Sequence, residues 1–477
     1  MEKQCQCGIS RRRFLQITGG TIACCSLFPL SESFAATGPI SRTPIFPKGK
    51  AKVNLVYSHI PSGSPTWPMK DYDYDARAGE ITGKLKAACP GIDFNVKTAL
   101  NEAEAEAIVK ESGDCDGYVV CVLGIWNGAP NIIMRGGKPT VLVDDLFAGS
   151  GETLITAGVA KRDKLPVLTI SSSDFDDVVS AVRLFDVIHA MKETTILDIA
   201  DYDITNHIDR IKIVYGSKIV KMGSVELMDY YAKADEKEAA QWADLWIGQA
   251  KKMIEPTREE IVKSGKMYLA LSRMAAEKHA DAVTMDCLGM FYTGRVTAYP
   301  CLSHFQMNND GGTGVCEGDL NSTCTQLLMR YLTGRPGYVS DPVIDTARSE
   351  IIYAHCVSTN KVFGTKGKSN PYIIRSHAED GKGAVVQSLM PIGETVTTLE
   401  ADVYSKRMVI HTGKTTRNVD EPKACRTKLA AKTNAEQILD NWDMGWHRVT
   451  VYGDWRKQAM NLARLLGIEV TQEDKTG

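Results

Sequence analysis

Short apolar β-type runs alternate with helical stretches through most of this chain, and this alternation limits the fold more than any other feature. The first run, KVNLVYSHI, begins at Lys52 and is followed by helical stretches at 76–89 and 101–112. The runs DGYVVCVLG and KPTVLVDDL come next, separated by turn residues and a short predicted helix. Strands that alternate with helices predict a parallel, doubly wound α/β domain, which we place at residues 50–175.

The pattern then starts again and predicts a second doubly wound α/β domain at residues 176–345. RIKIVYG, residues 210–216, is interpreted as a strand, and charged helical stretches follow it. From Glu350 onward the chain changes to short β-type runs with glycine turns, and it ends in a helix and a strand. This change predicts an antiparallel, barrel-like β domain at residues 346–477.

The N-terminus carries a predicted export signal over residues 1–35. SRRRFLQ precedes a weakly apolar run and SESFAATGP, which is typical of a twin-arginine signal with Arg11 and Arg12 as the pair and cleavage after Ala35. The expected location is therefore periplasmic or otherwise extracytoplasmic. Two alternatives stay open: a lipid anchor at Cys24, within TIAC, and a cytosolic protein with a chance basic tail.

The charge balance narrows the classes of partner. The chain has 56 Lys and Arg against 58 Asp and Glu, a formal charge of −2, which gives no support for a nucleic-acid partner or an electrostatic membrane patch. No apolar run after the signal approaches the roughly 20 residues that a membrane span needs. Of 13 cysteines, nine follow the signal, and they show no Cys-x-x-Cys spacing. The absence of this spacing argues against a thiolate zinc site, and the odd number of cysteines argues against a full disulfide framework.

A clear amphipathic helix is predicted within GVCEGDLNSTCTQLLMRYLTG, which begins at Gly314. Its apolar residues recur at helical spacing, Asp319 is placed to cap its start, and Gly334 is placed to end it. Glu317 lies just before the helix and after a predicted strand, where open α/β folds face their ligand crevice. Glu317 is therefore either a surface charge near the helix dipole or a metal ligand.

Three further residues could complete a metal site with Glu317. Asp341 follows a predicted short strand, His355 lies within the apolar run IIYAHC, and His447 precedes a strand near the C-terminus. Carboxylates and imidazoles together suit a divalent ion such as Mn²⁺, with open positions for substrate oxygens. The alternative is that the histidines are hydrogen-bonded core residues.

Other catalytic motifs are missing from the sequence. HTGKTT lacks the upstream glycine of a phosphate-binding loop, because Met408 occupies that position. No G-x-G-x-x-G follows a predicted strand, and no G-x-S-x-G elbow accompanies the histidines. The motifs therefore give no support for a dinucleotide enzyme or a serine hydrolase.

In four ordered segments the chain resembles the L-fucose/L-arabinose isomerase family. The segments are CEGDLNSTCTQLLMRYLTG, YVSD, IIYAHC and GWHRVTVYGDWRKQAMNLARLLGIEV. They span roughly the last 170 residues, whereas the N-terminal half agrees only in its α/β character. YVSD matches the fucose branch and IIYAHC the arabinose branch, so the chain combines features of both.

The resemblance implies roles for the same four residues. Glu317 and Asp341 would be paired acidic metal ligands and proton-transfer groups, and His355 and His447 would be imidazole ligands of a divalent metal, for which Mn²⁺ is expected. It also implies two α/β domains followed by an antiparallel β domain, a small-molecule carbohydrate as substrate, and a homo-oligomer with sites near subunit boundaries.

The function predicted from this resemblance is a metal-dependent aldose–ketose isomerase that works through an enediolate outside the cytoplasm. Two alternatives stay open. The same enolising site could serve an epimerase or a β-eliminating lyase on an oxidised sugar or glycoside. The protein could also be a non-catalytic carbohydrate-binding protein.

Overall fold

The computed structural model describes residues 42–43 and 45–476. The predicted signal peptide, with Arg11, Arg12 and the alternative lipid site Cys24, lies outside the described residues. The described residues form one compact unit. The expected boundaries between the three domains therefore stay a prediction, and the architecture is described below by its sheets.

The first sheet is fully parallel, with five strands in the order β2-β1-β3-β4-β5. Its strands are β1 (Ala51–Ser58), β2 (Ile92–Ala99), β3 (Gly117–Val122), β4 (Thr140–Asp144) and β5 (Val167–Ile170). The helices that accompany it are α1 (Tyr74–Ala88), α2 (Glu102–Glu111), α3 (Ala129–Arg135), α4 (Ser150–Arg162), α5 (Phe175–Val182) and α6 (Leu184–Lys192). Strand β3 is buried along its whole length, as expected for a central strand with both faces covered.

A second parallel sheet has four strands in the order β10-β9-β6-β7. These strands are β6 (Thr195–Ile199), β7 (Lys218–Met222), β9 (Ala282–Met285) and β10 (Thr313–Cys316), and the short β8 (Lys252–Met253) lies between β7 and β9 in the chain. Seven helices belong to this part of the described chain: α7 (Thr205–Tyr215), α8 (Ser224–Ala232), α9 (Glu236–Gln249), α10 (Arg258–Lys278), α11 (Cys287–Tyr292), α12 (Cys301–Asn309) and α13 (Leu320–Thr333). The predicted parallel α/β character of both parts is confirmed.

The interpretation of RIKIVYG as a strand is wrong. The segment lies within helix α7, and the strand next to it is β7, residues Lys218–Met222. Ile208, Ile211 and Tyr215 recur at helical spacing, and Ile211 and Tyr215 are buried. Because β-branched residues favour strands, the local composition outweighed a short helical period in the prediction.

The C-terminal part forms a closed barrel of six antiparallel strands in the order β15-β18-β11-β12-β17-β16, which β15–β16 pairing closes. The strands from here to the end are β11 (Tyr338–Asp345), β12 (Glu350–His355), β13 (Tyr372–Arg375), β14 (Val385–Ser388), β15 (Thr395–Asp402), β16 (Arg407–Asn418), β17 (Thr427–Lys432), β18 (Arg448–Tyr452) and β19 (Glu469–Gln472). Helices α14 (Ala435–Asp440) and α15 (Arg456–Leu465) accompany them. The expected antiparallel, barrel-like C-terminal part is confirmed.

Two smaller features complete the fold. Strand β19 extends the barrel sheet by pairing in parallel with β16, and β14, β13 and β8 form a separate small sheet. None of the helices in the described part of the chain combines the length and the apolarity that a bilayer crossing requires.

Candidate metal centre

The structure brings together all four residues that the sequence singles out. One ligand atom from each of Glu317, Asp341, His355 and His447 lies within 4.8 Å of the others. Glu317 follows β10, Asp341 lies on β11, His355 ends β12, and His447 immediately precedes β18. The cluster therefore forms where the end of the second parallel sheet meets three strands of the barrel.

The two imidazoles face the two carboxylates through their Nε2 atoms. His447 Nε2 lies 3.1 Å from an Asp341 oxygen and 3.4 Å from a Glu317 oxygen. His355 Nε2 lies 3.4 Å from the other Glu317 oxygen and 4.0 Å from Asp341. Both Nε2 atoms are nevertheless buried and make no hydrogen bond with these oxygens.

Asp319 serves two purposes at the start of helix α13. One of its oxygens accepts a hydrogen bond from the backbone N–H of Ser322 at 3.0 Å, which caps the helix as predicted. The other oxygen lies 2.7 Å from His447 Nδ1. A carboxylate on the far nitrogen fixes the ring orientation and turns Nε2 towards the other ligands. Sequence analysis assigned only the cap to Asp319.

His355 is oriented by its own neighbour along the chain. The backbone N–H of Cys356 lies 2.9 Å from His355 Nδ1, and the side chain is fully buried. The ring therefore has little freedom, and its Nε2 points at Glu317.

Two successive residues in left-handed conformation present Glu317 to the cluster. Glu317 has φ 68° and Gly318 has φ 64°. A non-glycine residue in this region is strained by about 1–3 kcal/mol, and such strain is concentrated at functional sites. Glycine is favoured at 318 by this φ, and a Cβ there would lie 2.6 Å from the hydroxyl of Tyr202, which would have to move.

The electrostatics of the cluster favour a charged Glu317 and a protonated His447. Burial raises the pKa of Glu317, but the imidazoles of His355 and His447 outweigh burial and lower that pKa to about 2. Burial lowers the pKa of His447, but Asp319 and the two cluster acids raise it to about 12. The His447 ring is therefore protonated when no ion is bound, and a divalent cation would displace its Nε2 proton.

The residues present fit a divalent metal ion. Two buried imidazole nitrogens without partners and two carboxylates converge on one point. A mixed oxygen and nitrogen set of this kind suits Mn²⁺ and similar divalent ions. Satisfied core histidines would pair their Nε2 atoms within the protein, which the described residues do not do here.

An open cleft of about 670 Å³ leads to the cluster. Glu317, Asp341 and Glu379 line it, together with Trp442 and Trp446. The remaining lining is aliphatic: Leu288, Pro342, Ile344 and Leu439. The side chain of Asp341 is 42% exposed and that of Glu317 20% exposed, so both carboxylates are accessible from the cleft. Sequence analysis missed Glu379 and the tryptophans, which carry no motif.

Comparison with known proteins gives relatives that are named isomerases. Sulfoquinovose isomerases from Priestia aryabhattai and Priestia megaterium are each 24% identical to this chain over 310 residues. The matched region covers 60% of this chain and 66% of each relative, just under two thirds of the relatives' length. No protein-family model matches the chain.

Proposed function

We propose that this protein is a metal-dependent sugar isomerase that interconverts an aldose and a ketose. The observation that carries the proposal is the convergence of Glu317, Asp341, His355 and His447 at the inner end of an open cleft. The similarity to two sulfoquinovose isomerases supports a sugar isomerase independently of that geometry.

The four side chains would hold a divalent ion, for which we propose Mn²⁺. When bound, such an ion supplies Lewis-acid stabilisation of negative charge on the sugar oxygens. Asp319 would keep His447 aligned, and the buried position of His355 would keep its ring in place. The protein thus contributes a ligand set whose orientation is fixed before any ion binds.

The two carboxylates can divide the proton transfers between them. Asp341 is the more exposed to the cleft, so we assign it to take the proton from C2 of an open-chain aldose and return it to C1. Glu317 is the less exposed of the two carboxylates, so we assign it mainly as a ligand and give it the second transfer, in which the hydroxyl proton passes from O2 to O1.

The cleft supports a neutral sugar as the substrate. Its polar lining is acidic, and the residues that line it in the described chain include no lysine or arginine. Away from the proposed ion, a sulfonate or phosphate group would lie beside Glu379 with no lysine or arginine among these lining residues to pair with, which disfavours an anionic sugar. Trp442 and Trp446 offer apolar ring faces of the kind that pack against a sugar ring.

The location and the assembly belong to the same proposal. Export through the twin-arginine route rests on the motif around Arg11 and Arg12, and it would place the isomerase outside the cytoplasm. A homo-oligomer rests on the resemblance described above.

Isotope exchange tests the proposal directly. We expect the manganese-loaded protein in deuterated water to introduce solvent deuterium at C1 or C2 of a neutral pentose or hexose, with ketose formed, as followed by NMR. Glu317→Gln should lower the rate by about 10²–10⁴-fold, the range typical of a lost acid–base or ligand group. Glu236→Gln, which changes an exposed acid on helix α9 outside the cleft, is the matched control.

Three outcomes would overturn isomerisation. Exchange without ketose would indicate an epimerase, and elimination from a keto-glycoside alone would indicate a lyase. Sugar binding with no exchange and no metal requirement would indicate a binding protein.

A further inference from the structure

Three buried cysteines lie directly behind the candidate metal centre. Cys301 Sγ lies 3.5 Å from Cys356 Sγ, and Cys316 Sγ lies 3.9 Å from Cys356 Sγ. All three Sγ atoms lie within 4.8 Å of one another. The residues are 0%, 1% and 4% exposed, respectively, so the cluster is shielded from solvent.

These spacings match thiolates that share one metal ion. With a zinc–sulfur bond of about 2.3 Å and tetrahedral angles, two thiolates lie about 3.8 Å apart. A disulfide would need the same sulfurs about 2.05 Å apart. The three cysteines are free thiols in the structure and would need little movement to bind an ion.

Buried imidazoles border the thiols. His304 Nδ1 lies 3.7 Å from Cys316 Sγ, and His304 is fully buried with no hydrogen-bond partner for its Nε2. His377 is also buried and leaves its Nδ1 without a partner. Isolated free cysteines are ordinary small core residues. Burying three thiols beside imidazoles that lack hydrogen-bond partners costs free energy. A bound ion or additional hydrogen-bond donors would remove that cost.

The cluster joins three different elements of the fold. Cys301 begins α12, Cys316 ends β10, and Cys356 follows β12. Cys316 immediately precedes Glu317, and Cys356 immediately follows His355. An ion bound by these sulfurs would therefore hold together the two backbone segments that present ligands to the candidate metal centre.

We propose that Cys301, Cys316 and Cys356 form a second metal site, specific for a closed-shell thiophilic cation, Zn²⁺ or Cu⁺. Each thiol releases its proton to solvent as its sulfur–metal bond forms. His304, beside Cys316, supports the site as an N–H donor to sulfur or as an additional ligand. The site is structural, and its sulfur ligands differ from the oxygen and nitrogen ligands that the proposed isomerase uses, with Cys356 Sγ lying 3.4 Å from His355 Nδ1.

Metal analysis and cobalt substitution test this site independently of catalysis. We expect the reduced full-length protein to retain a single equivalent of zinc or copper per chain. Cobalt added to the metal-free protein should give a sulfur-to-cobalt charge-transfer band, which carboxylate and imidazole ligands do not produce. Treatment with a copper(I)-selective chelator and, separately, with a zinc chelator shows which cation the site holds.

Cys301→Ser should lose the thiophilic ion and the charge-transfer band but keep the other divalent ion. Cys121→Ser is the matched control, since Cys121 is also fully buried but lies on β3 of the first sheet. If Cys301→Ser does not fold, the cobalt spectrum of the wild type decides alone. Wild-type protein without the band, equal metal content in both variants, or a Cys301–Cys356 disulfide in the purified protein would each overturn the proposal.

Discussion

Replacing Asp319 separates the two purposes that the structure gives this residue. Its carboxylate caps α13 through Ser322 and orients His447 across 128 residues of sequence. Serine caps a helix about as well as aspartate, but its shorter side chain cannot reach the imidazole. Asp319→Ser therefore removes the contact with His447 while keeping the cap, and Asp319→Ala removes both.

The magnitudes follow from the two contacts. Loss of the outer carboxylate of a metal-binding histidine typically weakens metal binding about 10–100-fold, or about 1.4–2.7 kcal/mol. Loss of a helix cap costs about 0.5–2 kcal/mol of stability. We expect both variants to bind manganese about 10–100-fold more weakly than the wild type. In the presence of chelator, Asp319→Ala should unfold at a lower temperature than Asp319→Ser, because it alone also loses the helix cap.

Competition against a fluorescent metal chelator measures the first quantity, and thermal unfolding with EDTA measures the second. If Asp319→Ser binds manganese as tightly as the wild type, the His447 contact has no part in metal binding. Our account of how His447 is oriented would then be wrong.

Two further predictions concern Asp198 on β6 and the glycines at the two ends of helix α13. Burial raises the pKa of Asp198 to about 7. The folded state therefore keeps a proton that the unfolded state loses above about pH 4. The free energy of unfolding accordingly declines as the pH rises from about 4 to about 7. In unfolding experiments, the wild type should lose about 4 kcal/mol of stability relative to Asp198→Asn between about pH 4 and pH 8. A stability difference between the two proteins that does not change with pH would refute this. Gly318→Ala and Gly334→Ala should each be destabilised by about 1–2 kcal/mol, because both positions are in the left-handed conformation. A Cβ contacts Tyr202 only at position 318. Only Gly318→Ala should therefore also lose manganese affinity. Equal affinities in the two variants would contradict that reasoning.

The features that depend on neighbouring residues could be predicted from the sequence. Helix α13, its Asp319 cap and its Gly334 end follow from local spacing, and the structure confirms all three. RIKIVYG failed because a short apolar segment satisfies both strand composition and helical spacing. Packing against the sheet decided the outcome in favour of the helix.

The contacts that depend on the whole fold could not be predicted. The partner of Asp319 lies 128 residues away, and Cys301 and Cys356 are 55 residues apart. The missing Cys-x-x-Cys motif argued against a thiolate site, but that motif detects only cysteines that are close together in the sequence. The four candidate ligands were found from their residue types and their places beside predicted strands, and the resemblance then connected residues that no local motif joins.

The most direct test is the metal content of the purified mature protein in wild type, Glu317→Ala, His447→Ala and the control Glu379→Ala. Each protein is measured with Cys301→Ser added, which removes any ion that the thiols bind. Our account predicts a near-stoichiometric divalent ion, manganese in our proposal, in the wild type and the control, and its loss in Glu317→Ala and in His447→Ala. A folded wild type without this ion, or equal metal content in all four proteins, would contradict a metal centre built by Glu317, Asp341, His355 and His447.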